Sequence, residues 1–403
     1  MPTILILNGG SSTIRFAFYD CTGPLLRTLH GTLDRIGLAD AALGWNDPVR
    51  NQQGQQPMAA TDHQTAAALL LDWLEAQPDF ASVVAVGHRV VHGMQHVLPT
   101  RVTWQLLDDL RHISPVDPEH LPGEIALMEQ IRQRRPGLAQ VACFDTAFHS
   151  SLPRVARQLP IPRRLDALGV QRFGFHGLSY AFLMEELVRI GDPAATRGRV
   201  LLAHLGNGAS LAAVQNGLSV DTSMGFTPGA GLMMSTRSGD IDPGLPAFLA
   251  RSEQMSPTQF QYMVSRESGL LGVSGISPDL RDLLLLEGED AHAAEAVALF
   301  CYQTRKWIGA FAAVLGGLDT LVFSGGIGEN AASVRARICA GFGFLGIELD
   351  SKRNAAGEGL ISTDASRVCV RVIRTDEALM IARTVHRMLA AGELEATTGG
   401  QQP

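Results

Sequence analysis

Ile4-Leu5-Ile6-Leu7-Asn8-Gly9-Gly10-Ser11-Ser12-Thr13-Ile14-Arg15-Phe16 joins an apolar run, a turn of Asn, Gly and Ser, and a second, alternating run. Almost two hundred residues later, Leu201-Leu202-Ala203-His204-Leu205-Gly206-Asn207-Gly208-Ala209-Ser210-Leu211 follows the same plan. Glycines without Cβ let a backbone approach a ligand closely, and successive N–H groups in such a turn form an anion nest. Two strand–turn–strand units of this kind predict two domains that face one polyphosphate.

The rest of the chain can be laid out around these two turns. At 403 residues it is too long for one ordinary core, so two domains are expected. In the first hairpin Ile14, Phe16 and Phe18 alternate with Thr13, Arg15 and Ala17, which puts Thr13 and Arg15 beside the nest. Residues 43–62 read as an irregular or hairpin excursion, and a helix follows at about 63–77. A buried strand is expected over 83–91, a helix over 121–134, and a strand over 139–143 that runs into Phe144-Asp145-Thr146. The stretch 152–162, with three prolines, marks the boundary between the halves. Beyond it come a helix at 179–190, the echoed unit, Gly-rich loops over 221–246, and helices near 257–268 and 289–316. A strand over 320–323 enters the loop Ser324-Gly325-Gly326-Ile327-Gly328-Glu329-Asn330, with a helix after it to about Ala340. A last strand at 368–373 and a terminal helix at 377–391 close the pattern, and the tail 395–403 is expected to be disordered. Strands that alternate with helices make the chain α/β.

Composition removes several function classes. No apolar run of about 20 residues could span a bilayer, and a net charge of −7 argues against nucleic acid as the main partner. No basic segment precedes the first apolar run, so a cytoplasmic protein is expected. Cys21, Cys143, Cys301, Cys339 and Cys369 are scattered without a C-x-x-C pair, and read as buried thiols in a reducing compartment. Of the 33 basic residues only Lys306 and Lys352 are lysines, so a cationic phosphate clamp here must be arginine. There is no P-loop motif. Gly341-Phe342-Gly343-Phe344-Leu345-Gly346 matches the dinucleotide fingerprint by letter, but follows a helix instead of joining strand to helix. His88, His92 and His96 lie on a strand broken by Gly93, where their spacing does not converge on a metal.

Several residues look chemical from their surroundings. Arg89 lies between apolar strand residues and Arg237 in a loop of small residues. Neither setting solvates a guanidinium, so each needs an anion, either a ligand or, for a structural salt bridge, Asp240 or Asp242. Asp145 and the Phe175-His176-Gly177 turn sit where α/β proteins bind ligands, although either could instead organise a loop. Glu377 opens the last helix, as an acid of the capping region or as a magnesium ligand. Ser324–Asn330 suits a nucleotide, or is an ordinary tight turn.

In sequence order, Asn8–Ser12, Gly87-His88-Arg89-Val90-Val91-His92-Gly93, Phe144-Asp145-Thr146-Ala147-Phe148-His149, Gly174–Gly177 and His204–Gly208 closely resemble the acetate kinases and their propionate and butyrate relatives. Asp221–Gly225, Thr236-Arg237-Ser238-Gly239-Asp240, Glu267–Gly272 and Gly326–Asn330 extend the resemblance over about residues 3–390. It implies the sugar-kinase/actin/heat-shock-chaperone fold, with two duplicated actin-like, ribonuclease H-like α/β domains and an interdomain nucleotide cleft. The first domain would be 1–150 plus the helix at 377–391, and the second 151–376. The implied activity is reversible, Mg²⁺-dependent transfer of the ATP γ-phosphoryl group to acetate, giving acetyl phosphate and ADP, usually in a homodimer. Mn²⁺ could replace Mg²⁺.

Site roles carry over by the same resemblance. Asp145, His176 and Arg237 would be catalytic. Arg89, Val91 and Pro228 would bind the acid. Arg15, His204, Leu205, Gly206, Asn207 and Gly208 would hold ATP phosphates, and Asp279, Leu280, Arg281, Gly326, Ile327, Gly328, Glu329 and Asn330 the nucleoside end. Asn8 and Glu377 would serve the metal. Because the acceptor is a carboxylate that is already ionised, no general base is needed, and Asp145 is read as an organiser of arginine or of metal-bound water. The chain departs from the family pattern at Arg15 (usually Lys), Met94 (usually Gly), the short loop Pro115-Val116-Asp117-Pro118, Tyr180 (usually His), Gly229-Ala230, Ser235 and Asp376. Propionate or butyrate would be the alternative acceptor. A non-catalytic ATP-binding clamp of the chaperone or actin kind is the rival from another class, disfavoured by the presence of both arginines.

Overall fold

A computed structural model describes residues 1–10 and 12–394; Ser11 of the first turn and the tail at 395–403 lie outside the described residues. The chain divides into two compact units, Met1–Ala147 together with the segment from Asp376, and Phe148–Thr375.

In the first unit the opening apolar run becomes β1 (Thr3–Gly9), antiparallel to β2 (Ile14–Asp20). The hairpins continue outward through β3 (Leu26–Asp34), β4 (Ala42–Asp47) and β5 (Gln52–Pro57). On its other side β1 pairs in parallel with β6 (Val83–Val90), which pairs in parallel with β8 (Ala139–Phe144), and the two-residue β7 (Thr100–Arg101) closes that edge. Strand β3 was not legible, because only Leu29 and Leu33 along it are buried and period two is lost. Of β2, Arg15 is exposed, but Ala17 and Tyr19 are buried as well as Phe16 and Phe18, so that part of the sheet is covered on both faces.

Two helices use the alternation of β1. Leu127 and Ile131 of the helix Leu121–Arg134 join the core that holds Leu5 and Leu7. On the opposite face, a Cβ at Gly87 would lie 2.5 Å from Ile381 and 3.0 Å from Ile6, so a glycine there lets the helix Glu377–Ala390 lie flat on the sheet. Side chains in phase with Ile6 and Gly87 therefore point to the start of that helix, and the next of these are Asn8 and Arg89.

The second unit repeats the arrangement with β9 (Arg199–Leu205), β10 (Ala209–Gln215), β11 (Leu218–Thr222), β12 (Thr320–Ser324) and β13 (Cys369–Val372). Its order is β11-β10-β9-β12-β13, antiparallel through the first three strands and parallel through the last three. The central strands β3-β2-β1-β6-β8 of the first sheet have the same order and directions. The chain is thus α/β with one topology used twice, the duplicated actin-like fold.

One local expectation is corrected. Ser324–Asn330 is not a loop ahead of a helix, since Gly325–Asn330 is itself a short helix, followed after Ala331 by Ala332–Cys339. Gly325 has φ +75°, and a Cβ there would come within 2.6 Å of the Leu205 carbonyl oxygen. The chain turns at that glycine, and Glu329 Oε1 accepts the Gly325 N–H at 3.0 Å, which starts the helix at once. Among the described residues no helix is long and apolar enough to cross a membrane.

Candidate active site

The first unit gathers charge at the ends of β1, β6 and β8. Arg89 is the centre. Its Nε and Nη2 donate to Asp145 Oδ2 at 3.0 and 2.6 Å, and its Nη1 to Asn8 Oδ1 at 3.4 Å. Glu377 Oε2 stands 3.9 Å from Arg89 Nε and accepts from Asn8 Nδ2 at 3.3 Å. Burial works against the Arg89 charge, but Asp145, Glu377 and Glu124 outweigh it and raise its pKa. Asp145 is itself fully buried, so it serves as a fixed counter-charge that sets the plane of the guanidinium.

Glu124 was missed in the sequence. Both its carboxylate oxygens accept the Val91 N–H, at 3.2 and 3.1 Å, and burial pushes its carboxyl up to about 8 against the pull of Arg89. A signal existed, because Glu124 sits on the same helical face as Leu121, Leu127 and Met128, all buried. An acid on an apolar stripe needs a partner inside. Val91, whose N–H it takes, is buried two residues after Arg89. Arg15 faces Asn8 across the first hairpin and is exposed.

The second unit builds its site from imidazoles, one guanidinium and backbone around Gly206-Asn207-Gly208. A Cβ at Gly208 would meet His176 Nε2 at 3.1 Å and Arg237 Nη1 at 3.7 Å, so the absent side chain leaves room where these two groups converge. His176 adopts φ +59°, a conformation a non-glycine residue rarely takes, directly ahead of the helix Gly177–Arg189. Its ring stacks on His204 with centroids 4.3 Å apart. Buried His149 accepts no easy charge, since burial pulls its pKa down to about 4, and it hydrogen-bonds the Phe175 carbonyl at 3.1 Å and Ser219 Oγ at 2.9 Å. That support fixes the turn from which His176 projects. Arg237 Nη1 donates to the Pro228 carbonyl at 3.4 Å, which ties two of the expected site residues together. The aspartates considered as its structural partners accept backbone N–H groups, Asp240 from Gly231 and Asp242 from Gly244.

The glycine-rich helix Gly325–Asn330 is held from both ends. Glu329 Oε1 also accepts the Thr375 N–H at 3.1 Å, and Asn330 Nδ2 donates to the Gly326 carbonyl at 2.8 Å. Beneath it lies Arg335, 1% exposed and also missed in the sequence, which donates to the carbonyls of Gly328 and Glu329 at 2.9 Å each and to Asn354 Oδ1 at 2.8 Å. Asp279, Leu280 and Arg281 have local roles here: Asp279 caps the helix Leu280–Leu286 and pairs with Arg281, while Leu280 is buried.

For a divalent metal, no group of three or more His, Cys, Asp or Glu suited to ligation occurs among the described residues. Mg²⁺ does not need one, because it keeps several waters and is held by one or two carboxylates together with substrate phosphates. The adjoining amide of Asn8 and carboxylate of Glu377 supply hard oxygen donors of that kind.

Comparison with known proteins fits this arrangement. The model of the acetokinase family matches residues 3–383. The chain belongs to the acetokinase family. It is 42% identical to an acetate kinase of Rhodopseudomonas palustris (strain TIE-1) over 395 residues, 96% of this chain and 99% of that one. A propionate kinase of Citrobacter rodentium is 41% identical over 396 residues, covering 96% and 97%. The crystal structure of the Porphyromonas gingivalis acetate kinase superposes with a TM-score of 0.87 at 34% identity, over 96% of this chain and all of that one. As an acetokinase-family member the chain is a kinase that transfers phosphate to a carboxylate.

Proposed function

We propose that this acetokinase-family kinase is an acetate kinase, transferring the ATP γ-phosphoryl group reversibly to acetate to give acetyl phosphate and ADP. The observation that carries the reading is the approach of His176 Nε2 and Arg237 Nη1 to one point over Gly208. Two side-chain groups that converge beside the backbone of a glycine-rich turn suit the equatorial oxygens of a phosphoryl group in transfer.

The chemistry needs no base. A simple carboxylic acid, with a pKa near about 4–5 by analogy with side-chain acids, is ionised at neutral pH. Its oxygen forms a bond to the γ-phosphorus while the bond to the β–γ bridging oxygen breaks, and that electron pair leaves on ADP. The obstacle is repulsion between two anions, so positioning and charge neutralisation do the work. Arg89, held in plane by Asp145, takes the carboxylate, with Val91 and Pro228 beside the acyl chain. His204, Leu205, Gly206, Asn207 and Gly208 hold the ATP phosphates, and Arg237 and His176 neutralise the transferring group. The glycines of Gly326–Asn330, stiffened by Arg335, take the nucleoside end. Asn8 and Glu377 would hold Mg²⁺, or Mn²⁺ in its place, which supplies further charge neutralisation to the phosphates when bound. The working form proposed is a cytoplasmic homodimer.

Propionate is the second acceptor to consider, because a propionate kinase is 41% identical to this chain against 42% for an acetate kinase. A hydroxamate trap for acyl phosphate, run with acids of two, three and four carbons, decides between them. Highest turnover with acetate is the expected result. No product from any of the three acids would refute the kinase reading in favour of a non-catalytic ATP clamp.

A further inference from the structure

His176 is one end of a chain of hydroxyls that its own role in transfer does not explain. Its Nδ1 lies 2.8 Å from Ser210 Oγ, and Ser210 Oγ is in turn hydrogen-bonded to the Tyr180 hydroxyl. Ser210 and Tyr180 are both 0% exposed. Tyr180 stands one helical turn beyond His176, with its N–H on the His176 carbonyl at 3.0 Å, so the phenol is brought to the imidazole by the helix that the histidine starts. Ser210 comes from β10, where it faces His204 across the strand pair.

One order lets each hydroxyl of this chain donate once: the Tyr180 phenol gives its proton to Ser210 Oγ, and the serine hydroxyl gives its own to Nδ1. A neutral histidine that accepts at Nδ1 carries its proton on Nε2. Nε2 is the nitrogen turned to the space over Gly208. The stack on His204 and the left-handed backbone at His176 hold the ring in that orientation. A parallel chain runs alongside, with Thr375 Oγ1 2.8 Å from Ser179 Oγ and Ser179 Oγ 2.9 Å from His204 Nδ1.

We propose that Tyr180 and Ser210 are positioning residues that lock His176 in the Nε2–H tautomer, so that it presents a hydrogen-bond donor to the phosphoryl group in transfer. The tautomer rests on that donor order, and its use in transfer rests on the kinase reading above. With the opposite tautomer, Nε2 would turn a lone pair to an anionic group and repel it. The two hydroxyls touch no substrate and act only through the imidazole.

The test is ¹⁵N–¹H correlation of the histidine rings in the full-length protein at neutral pH, with His176 assigned by the signals lost in His176→Asn. The expected result is a proton on Nε2 and a lone pair on Nδ1 in the unsubstituted chain. Tyr180→Phe and Ser210→Ala then move protons to Nδ1, and kcat for acyl phosphate formation falls about tenfold or more, within the ~10²–10³-fold that loss of the donor itself would cost. KM for ATP stays within about twofold, and Tyr180→His, which restores a donor at this position, recovers both spectrum and rate. A proton on Nδ1 of His176 in the unsubstituted chain overturns the proposal without any variant, and so does a Tyr180→Phe chain with unaltered spectrum and kcat. If the tautomer is as expected but no acid is phosphorylated, the relay stands and the kinase reading falls.

Discussion

The five central strands of the first sheet repeat the order of the second, yet the turns at the two centres are furnished in opposite ways. Around Asn8 the groups are ionic: Arg89 and Glu377, both partly exposed, cluster with fully buried Asp145, and behind them lies Glu124, whose carboxyl burial pushes up to about 8. Around Asn207 they are imidazoles, hydroxyls and backbone amides, with Arg237 as the one guanidinium among the residues described at that turn. The difference shows that topology sets where a site can be and not what it does. A small carboxylate needs a strong counter-charge held in a fixed plane, whereas a polyphosphate is recognised by many weak donors spread along a turn.

If this division of labour is right, Arg237 is the point where the phosphate cradle becomes catalytic. Arg237→Ala should lower kcat by roughly 10³–10⁵, as loss of an arginine finger does, while ATP binding measured by calorimetry changes far less. Undiminished turnover would break the comparison at its strongest point.

A smaller effect is expected from the ionic side. Asp145→Asn leaves Arg89 with a neutral neighbour and a looser guanidinium, and a misplacement of about 1 Å can cost about 10²-fold. The loss should appear in kcat/KM for the acid, with KM for ATP little changed. Equal loss toward both substrates would mean that Asp145 supports the fold more than the carboxylate site.

The smallest effect concerns stability. Glu124 has its pKa raised by burial from 4.5 to about 8. The folded chain thus keeps a proton that the unfolded chain releases above about pH 4.5. Its stabilising contribution is present below that pH and is lost as pH rises through about 8. Glu124→Gln has no such proton to lose, so its melting temperature relative to the parent should climb between pH 5 and 8. The gain should amount to at least about 1 kcal/mol over that span, and a pH-independent difference would show that burial does not raise the Glu124 carboxyl.

Much of this was readable before folding. The echoed turns, the buried strands at 83–91 and 139–143 and the terminal helix all show in apolar periodicity, which local backbone geometry imposes. Outlying strands were less legible: β3, inside the first sheet between β2 and β4, buries two leucines four residues apart, and β11 is a short edge strand. Glu124 and Arg335 escaped notice for another reason. Each is a charged residue on an otherwise apolar helical face, and only the packed partner reveals whether such a residue is buried or turned to water. The helix Gly325–Asn330 escaped because glycine has low helix propensity, and the bond from Glu329 to Gly325 overrides it.

The sequence by itself determined the α/β class, the doubled turn and the set of residue types that a carboxylate kinase needs, because these follow from short-range periodicity and from the order of motifs along one chain. Only the tertiary structure decided how those residues are partnered. Glu377 reaches Asn8 across 369 residues of chain because Gly87 leaves the last helix room to lie on β6. His176 meets Ser210 across 34 residues because a helix start and a strand are packed side by side. Contacts of that range depend on which surfaces are buried against each other, and no local pattern in the chain carries that information.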